Sequence, residues 1–436
     1  YNIWVFGDVA SDDATKGGIP GDQSEISFIE NFETTADNGY VEAIWVHYYD
    51  GISRCNEAIS KIPEIEMDEE IKNTYVSEVK FLRAYYYFQL VNIFGEIPLK
   101  TEPIRTSEDL HVAVSSVELI YEQIETDLVS AINHLPVEIS PANLGRVSKG
   151  AAFGLLAKAY LFTKNYSATI AIVDSLESLN MYQLLDVYKH NFMLEYENNR
   201  ESVFEIQHLT GQSPNQGNSM NQWFAPQKEN GYFFNVPLQN FVDEFEITST
   251  EVVDPRLDYT VGRTGQVWIN GEAFDPAWSP TGYIQKKHLQ PLSEINRGLK
   301  GNGDLNYTYI RYSEILLIKA EALNELGRPS EALMALNEVR KRARESYLFD
   351  EDLPDFGTIP QGLLPAVEET SKDVLQEAIM HERRVELGFE FHRYFDLMRY
   401  GKAIAEKALI GKSFDYETDR YSPIPQSELD INQKIN

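Results

Sequence analysis

The residues best placed to do chemistry in this chain are aromatic rings set among amides. Trp223 follows Asn221 and Gln222, Trp268 lies between Gln266 and Asn270, and Trp278 stands near Asp275. Tyr232-Phe233-Phe234 falls in the same stretch. A sugar ring presents apolar C–H faces that stack on flat side chains, and hydroxyls that exchange hydrogen bonds with Asn, Gln, Asp and Arg. These rings follow neither a helical nor a strand period, so they cannot be assigned to a packed stripe. Loops that merely cover a core would more often carry aliphatics. The pattern makes Trp223, Trp268, Trp278, Tyr232 and Asn221 candidate contacts for a glycan.

A second candidate patch is acidic. Gly7-Asp8 is followed by Ser11-Asp12-Asp13-Ala14 and Lys16-Gly17-Gly18, which reads as loop. Asp12 and Asp13 are added to the ligand-binding candidates. Their carboxylates could also hold calcium, but Asx turns and caps account for them more simply, and no metal site is assigned. Catalytic patterns are missing from the sequence. It has no G-x-S-x-G elbow and no Walker or dinucleotide loop, and Gly301-Asn302-Gly303 has neither a third glycine nor a preceding strand. His381-Glu382 and His392 are wrongly spaced for a zinc helix. A glycosidase carboxylate pair cannot be picked out from spacing alone. In Glu382, Arg383, Arg384, Glu386, Arg393, Asp396 and Arg399, acids and bases alternate at helical spacing, which suits a salt-bridge network joining two helices.

The elements that must position these residues are mostly helical. Residues 76–99 carry apolar side chains at Val79, Leu82, Tyr86, Leu90 and Ile93, widened by Phe81, Tyr85 and Phe88. That arc is too broad for a helix lying on a surface. Asp68 is its N-cap, and Gly95 and Pro98 end it. Residues 43–62 form the preceding helix, closed by Pro63, and 116–135 the next. A small-residue helix follows Lys149 and runs to Leu161, with a partner at 168–179. A similar unit returns at 315–344, where Ala320 and Ala322 correspond to Ala157 and Ala159. Small alanines let two helices approach closely, as in tetratricopeptide hairpins. Residues 181–309 between the two units are rich in turn signals. Strand-like pieces occur at 202–207 and 266–269. Long irregular segments on a rigid frame are where binding sites tend to sit.

The totals narrow the function. The 436 residues hold 68 acidic and 38 basic side chains, a formal charge of -30. Such a surface repels nucleic acid, whose phosphates require clustered Lys and Arg. There is no run of 18 apolar residues to suggest a membrane-spanning helix. Cys55 is the single cysteine, so neither an intrachain disulfide nor a cysteine zinc site can form.

Several blocks have a family look. Phe81-Leu82-Arg83-Ala84, Tyr87-Phe88-Gln89-Leu90-Val91 and Phe94-Gly95-Glu96-Ile97-Pro98-Leu99 resemble the signature helix of the SusD/RagB-like outer-membrane nutrient-binding lipoproteins. The helix bearing Trp45, Tyr48, Gly51, Ile52, Arg54, Asn56 and Ile59 resembles that family too, as does the Gly-Asp…Ser-Asp-Asp segment. So do the blocks from Glu382 to Glu390, from Arg393 to Gly401, and Pro423-Ile424-Pro425 with Glu428 and Asn432. These signatures occur in family order.

The resemblance implies a mainly α fold: a right-handed helical scaffold with tetratricopeptide-like hairpins and a long irregular insertion with a few short strands. The expected organisation is one domain over 1–436, with scaffold at about 41–179 and 307–436 and a ligand-binding insertion at about 180–306. The family's starch-binding member uses an arc of aromatic rings drawn from regions matching 12–38 and 181–306 here. The implied function is capture of an oligosaccharide, without catalysis or cofactor, at the cell surface. The implied partner is a SusC-like TonB-dependent outer-membrane transporter. Attachment would be through an N-terminal lipid anchor that precedes this chain. A peptide cargo and, less simply, a glycoside hydrolase are the competing readings.

Overall fold

The computed structural model describes residues 2–298 and 301–435. The chain separates into two compact units. One comprises Ser24–Leu179 and Met398–Asn436 with residues 1–3; the other comprises Trp4–Gln23 and Asn180–Leu397. Among the described residues, no helix is long and apolar enough to cross a membrane.

The first unit is a stack of helices: α1 (Gly39–Lys61), α2 (Glu69–Phe94), α3 (Val117–Ile132), α4 (Lys149–Phe162) and α5 (Tyr166–Ser178). The Asp68 side chain accepts from the N–H groups of Glu70 and Ile71, and Gly95, at φ 70°, ends α2 as its sequence predicts. The helix is buried on most sides, at Phe81, Ala84, Tyr87, Leu90 and Val91 among others. One polar feature crosses this apolar packing. Arg83 donates from Nε and Nη2 to both carboxylate oxygens of Asp127, at 2.8 and 2.7 Å, and from Nη1 to Asn56 Oδ1 at 2.8 Å. The planar fork of Arg satisfies two helices at once, α3 through Asp127 and α1 through Asn56. The two resemblance blocks that carry Arg83 and Asn56 therefore meet in space. In α4, Ala157 and Ala159 are buried, and their small side chains permit close packing on α5.

The second unit is built on α6 (Tyr312–Glu325), α7 (Pro329–Phe349) and α8 (Lys372–Leu387). Two antiparallel strand pairs accompany them. Ala14–Gly17 (β1) pairs with Phe234–Pro237 (β3), and Ser202–Ile206 (β2) pairs with Tyr307–Arg311 (β4) through a bulge. Short strands are thus not confined to the insertion. Ala14–Gly17 lies in the segment read as loop, and Ile97–Pro98 pairs with Val114–Ser115 in the first unit. That N-terminal segment also forms the helix Ser24–Glu30. Conversely, 266–269 is a turn with a lone bridge, not a strand. Trp268 N–H donates to the Glu272 carbonyl and Gly271 N–H to that of Trp268.

At the core of this unit lies a buried ionic lattice. Glu386 of α8 accepts from Arg256 at 3.1 Å, Arg311 at 3.0 Å and Arg342. Arg311 also donates to Glu201 and Glu390, Arg256 to Asp254 and Glu382, and Arg340 to Glu382. The ring of Tyr188 lies against the guanidinium groups of Arg311 and Arg342. Arg383 of α8 joins Asp396 at 2.7 Å, the pairing across two helices that their spacing suggests. The remaining partners come from all along the chain.

Candidate functional site

The candidate rings lie in the second unit, where they fall into two groups. In the first, Trp223 is partly exposed and leans on buried Trp4, with centroids 6.2 Å apart. Trp4 packs edge-on against Phe224 at 5.5 Å and stacks on Phe234 at 5.9 Å. Tyr232, also partly exposed, leans on Phe234 at 5.9 Å. A tight turn brings Trp223 and Tyr232 together: Tyr232 N–H donates to the Gln222 carbonyl and Phe233 N–H to that of Ala225, both at 2.9 Å. Gly231 is required there, because a Cβ would fall 2.0 Å from the Ala225 carbonyl oxygen. Asn230 and Phe233 hold left-handed φ values of 60° and 42°. For Phe233 this is strain that the surrounding structure must sustain, a feature that clusters at binding sites.

In the second group, Trp278 is partly exposed and packs edge-on against Phe274 at 5.1 Å and Trp268 at 5.9 Å. Lys228 Nζ sits 4.3 Å from the centre of the Trp278 ring and pairs with Glu272. One residue ties the two groups together. Buried Glu229 accepts from Trp268 Nε1 at 2.7 Å, Asn270 Nδ2 at 2.6 Å and the Arg297 guanidinium. The Arg297 carbonyl in turn accepts from Gln222 Nε2 at 3.2 Å and Asn230 Nδ2 at 2.6 Å. Glu229 is thus a common anchor for the segments that carry Trp278 and Trp223.

The other candidates serve the fold. Trp268 is 1% exposed, so neither ring face is open to a sugar. Asn221 is 0% exposed, and its amide is matched to Gln290 by two hydrogen bonds of 3.0 and 2.8 Å. Asp12 accepts from Arg393 at 2.8 and 2.9 Å, and Asp13 from Arg384 at 2.7 Å. Both oxygens of Asp12 and Oδ1 of Asp13 are engaged by guanidinium groups, and both side chains are buried. Trp4 and Glu229 were not singled out from the sequence. Trp4 carried a signal, since it lies in the apolar run Ile3-Trp4-Val5-Phe6 of an otherwise polar segment.

The Gly7-Asp8 pair has its own structural reason. A Cβ on Gly7 would meet the Phe391 carbonyl oxygen at 2.2 Å. Asp8 accepts from Phe391 N–H at 3.1 Å and Asn235 Nδ2 at 3.0 Å. Burial, helped by the charge of Asp13, pushes the Asp8 carboxyl up to about 8. The folded unit therefore keeps a proton that the unfolded chain releases near 3.8, the ordinary value. Between those values stability falls as pH rises. Asp8→Asn is expected to raise the melting temperature by a few degrees, with a larger gain at pH 8 than at pH 5. A gain of the same size at both pH values would contradict this.

Comparisons with known proteins agree along the whole chain. Residues 200–436 match the family model described as SusD family. Residues 2–161 match a second one, described as starch-binding associating with outer membrane. A SusD-like protein of Formosa agariphila is 26% identical over 425 residues, covering 92% of this chain and 80% of the relative. The solved structure of a laminarin-binding SusD-like protein superposes with a TM-score of 0.81 at 29% identity, covering 100% of this chain and 93% of that one. Surface glycan-binding protein A from Bacteroides thetaiotaomicron, solved with laminarihexaose, has a TM-score of 0.79 at 22% identity. That match covers 100% of this chain and 93% of the other, and it bears on the fold alone.

Proposed function

The chain belongs to the SusD family, and from that membership we propose that it captures an oligosaccharide at the outer membrane without turning it over. The observation that carries the reading is the pair of ring groups. Trp223 on the short helix Met220–Phe224, Tyr232 on the loop after it and Trp278 at the end of the single turn Pro276–Trp278 are partly exposed aromatic planes, tied through a buried carboxylate and flanked by exposed Gln227 and Asn230. Such planes suit the C–H faces of sugars, and the amides suit their hydroxyls. A relative described as laminarin binding supports the ligand class. Delivery to a SusC-like TonB-dependent transporter, and surface attachment through a lipid anchor, rest on the family alone. Co-isolation of this chain with such a transporter from solubilised membranes would test the partner.

Calorimetry with a bound glycan tests the site. Trp223→Ala and Trp278→Ala are each expected to weaken binding by about 1–3 kcal/mol, the scale of aromatic stacking and of interface hot spots. That corresponds to about 5- to 150-fold in Kd. Melting temperature should change little, since neither ring is a fully buried core side chain. Normal binding by both variants would place the glycan elsewhere, and residues 12–38 would then be the next region to probe.

A further inference from the structure

The charges around these rings restrict what they can take. Residues 180–306 hold sixteen Asp and Glu against nine Lys and Arg. Among the described residues of that stretch, the basic side chains are already engaged. Arg256, Lys287 and Arg297 are buried against carboxylates. Lys189, Arg200, Lys228 and Arg263 pair with Asp350, Asp186, Glu272 and Asp258. Lys286 donates to the Asp258 carbonyl. The ninth, Lys300, lies outside the described residues.

Lys228 is the cation nearest a candidate ring, 4.3 Å from the centre of Trp278. Its charge is balanced by Glu272 at 2.5 Å, and Asp275 is exposed three residues before Trp278. The three histidines of the stretch offer no substitute. Burial pushes His190, His208 and His288 below the ordinary value, so they are neutral at pH 7. A sulfate or uronate brought to these rings would meet ring faces, amides and a net negative field, with every described Lys and Arg of residues 180–306 already engaged. Recognition of such anions rests on Arg or Lys free to pair with them.

We infer that the ligand of this site is a neutral glycan, built of uncharged sugars, and that uronic-acid and sulfated polysaccharides are rejected by charge. This rests on the glycan-binding reading above and adds the ligand class to it.

The test uses the whole chain and matched probes. β-1,3-Glucan, starch and galactomannan are compared with their carboxymethylated forms, and alginate, polygalacturonate and carrageenan are added as natural polyanions. Binding is measured at 50 and 500 mM NaCl. The expected result is that a neutral probe binds and its carboxymethylated form binds at least about tenfold more weakly at 50 mM salt. Part of that loss should be recovered at 500 mM, because salt screens repulsion. A polyanion that binds more tightly than every neutral probe, with affinity falling as salt rises, overturns the inference but leaves glycan binding standing. No binding to any probe removes the glycan-binding reading, and this inference with it.

Discussion

Glu386→Ala should unfold the unit that contains α8. Glu386 is fully buried and accepts from three guanidinium groups, those of Arg256, Arg311 and Arg342. Burial works against its charge, but those three cations outweigh it and hold the carboxyl well below the ordinary glutamate range. Alanine would delete the one carboxylate common to all three and leave a cavity between them. Breaking a buried pair costs about 3–5 kcal/mol, because the remaining charge is stranded. Here three arginines lose a partner, against a total stability of about 5–15 kcal/mol for a typical domain. Urea unfolding followed by circular dichroism should show a midpoint collapsed toward zero denaturant, or insoluble protein. A midpoint within error of the unaltered chain would mean that the lattice contributes little. Glu386→Gln keeps an acceptor but sets an amide N–H₂ against arginine, and should fall between the two.

The same lattice fixes an acid limit. Burial again opposes the charge of Glu390, and Arg311 and Lys287 overcome it, lowering the carboxyl to about 2. A carboxyl lowered on folding contributes stability that is present above its unfolded value, 4.5 here, and is lost as pH falls toward the folded one. Stability from Glu390 should therefore decline only between about pH 4.5 and 2. Asp8 acts in the opposite direction, as pH rises toward 8.

The helical half of this organisation could be read from local pattern. The cap at Asp68, the stop at Gly95 and the paired alanines are decided by neighbours within a few residues, so α2 and the two hairpins follow from the sequence. The Arg383–Asp396 pair is also short-range. The partners of Glu386 were not legible, since Arg256, Arg311 and Arg342 lie 44 to 130 residues away. The rings show the same divide. Trp268 and Trp278 share a loop-like setting, yet one is buried and the other partly exposed. The difference is made by Glu229, about forty residues upstream, whose carboxylate takes the Trp268 indole N–H. No local spacing encodes that bond. The ion pairs of Asp12 and Asp13 were illegible for the same reason, because Arg384 and Arg393 lie 371 and 381 residues on.

Glu229 is accordingly where a single change should do the most to binding. Its carboxylate is the acceptor shared by Trp268, Asn270 and Arg297, so Glu229→Ala removes three hydrogen bonds from three chain segments. Arg297 is left buried beside an apolar methyl, and burial already disfavours its charge. The loop of Trp278 would lose its tie through Trp268 and Asn270. The turn of Trp223 and Tyr232 would loosen as well, since the Arg297 carbonyl that holds Gln222 and Asn230 loses its support. Both ring groups are then free to shift, and a displacement of about 1 Å in a preorganised site is enough to lose its function. Glycan binding by Glu229→Ala should therefore fall below detection, a greater loss than that of either single ring variant. None of this carboxylate's partners lies on α6, α7 or α8, so far-ultraviolet circular dichroism should keep its helical signal. Tryptophan fluorescence should change as the Trp268 indole loses its carboxylate. Glu229→Gln retains one acceptor oxygen and should recover part of the binding. Full affinity in Glu229→Ala would show that the two ring groups do not depend on their common tie.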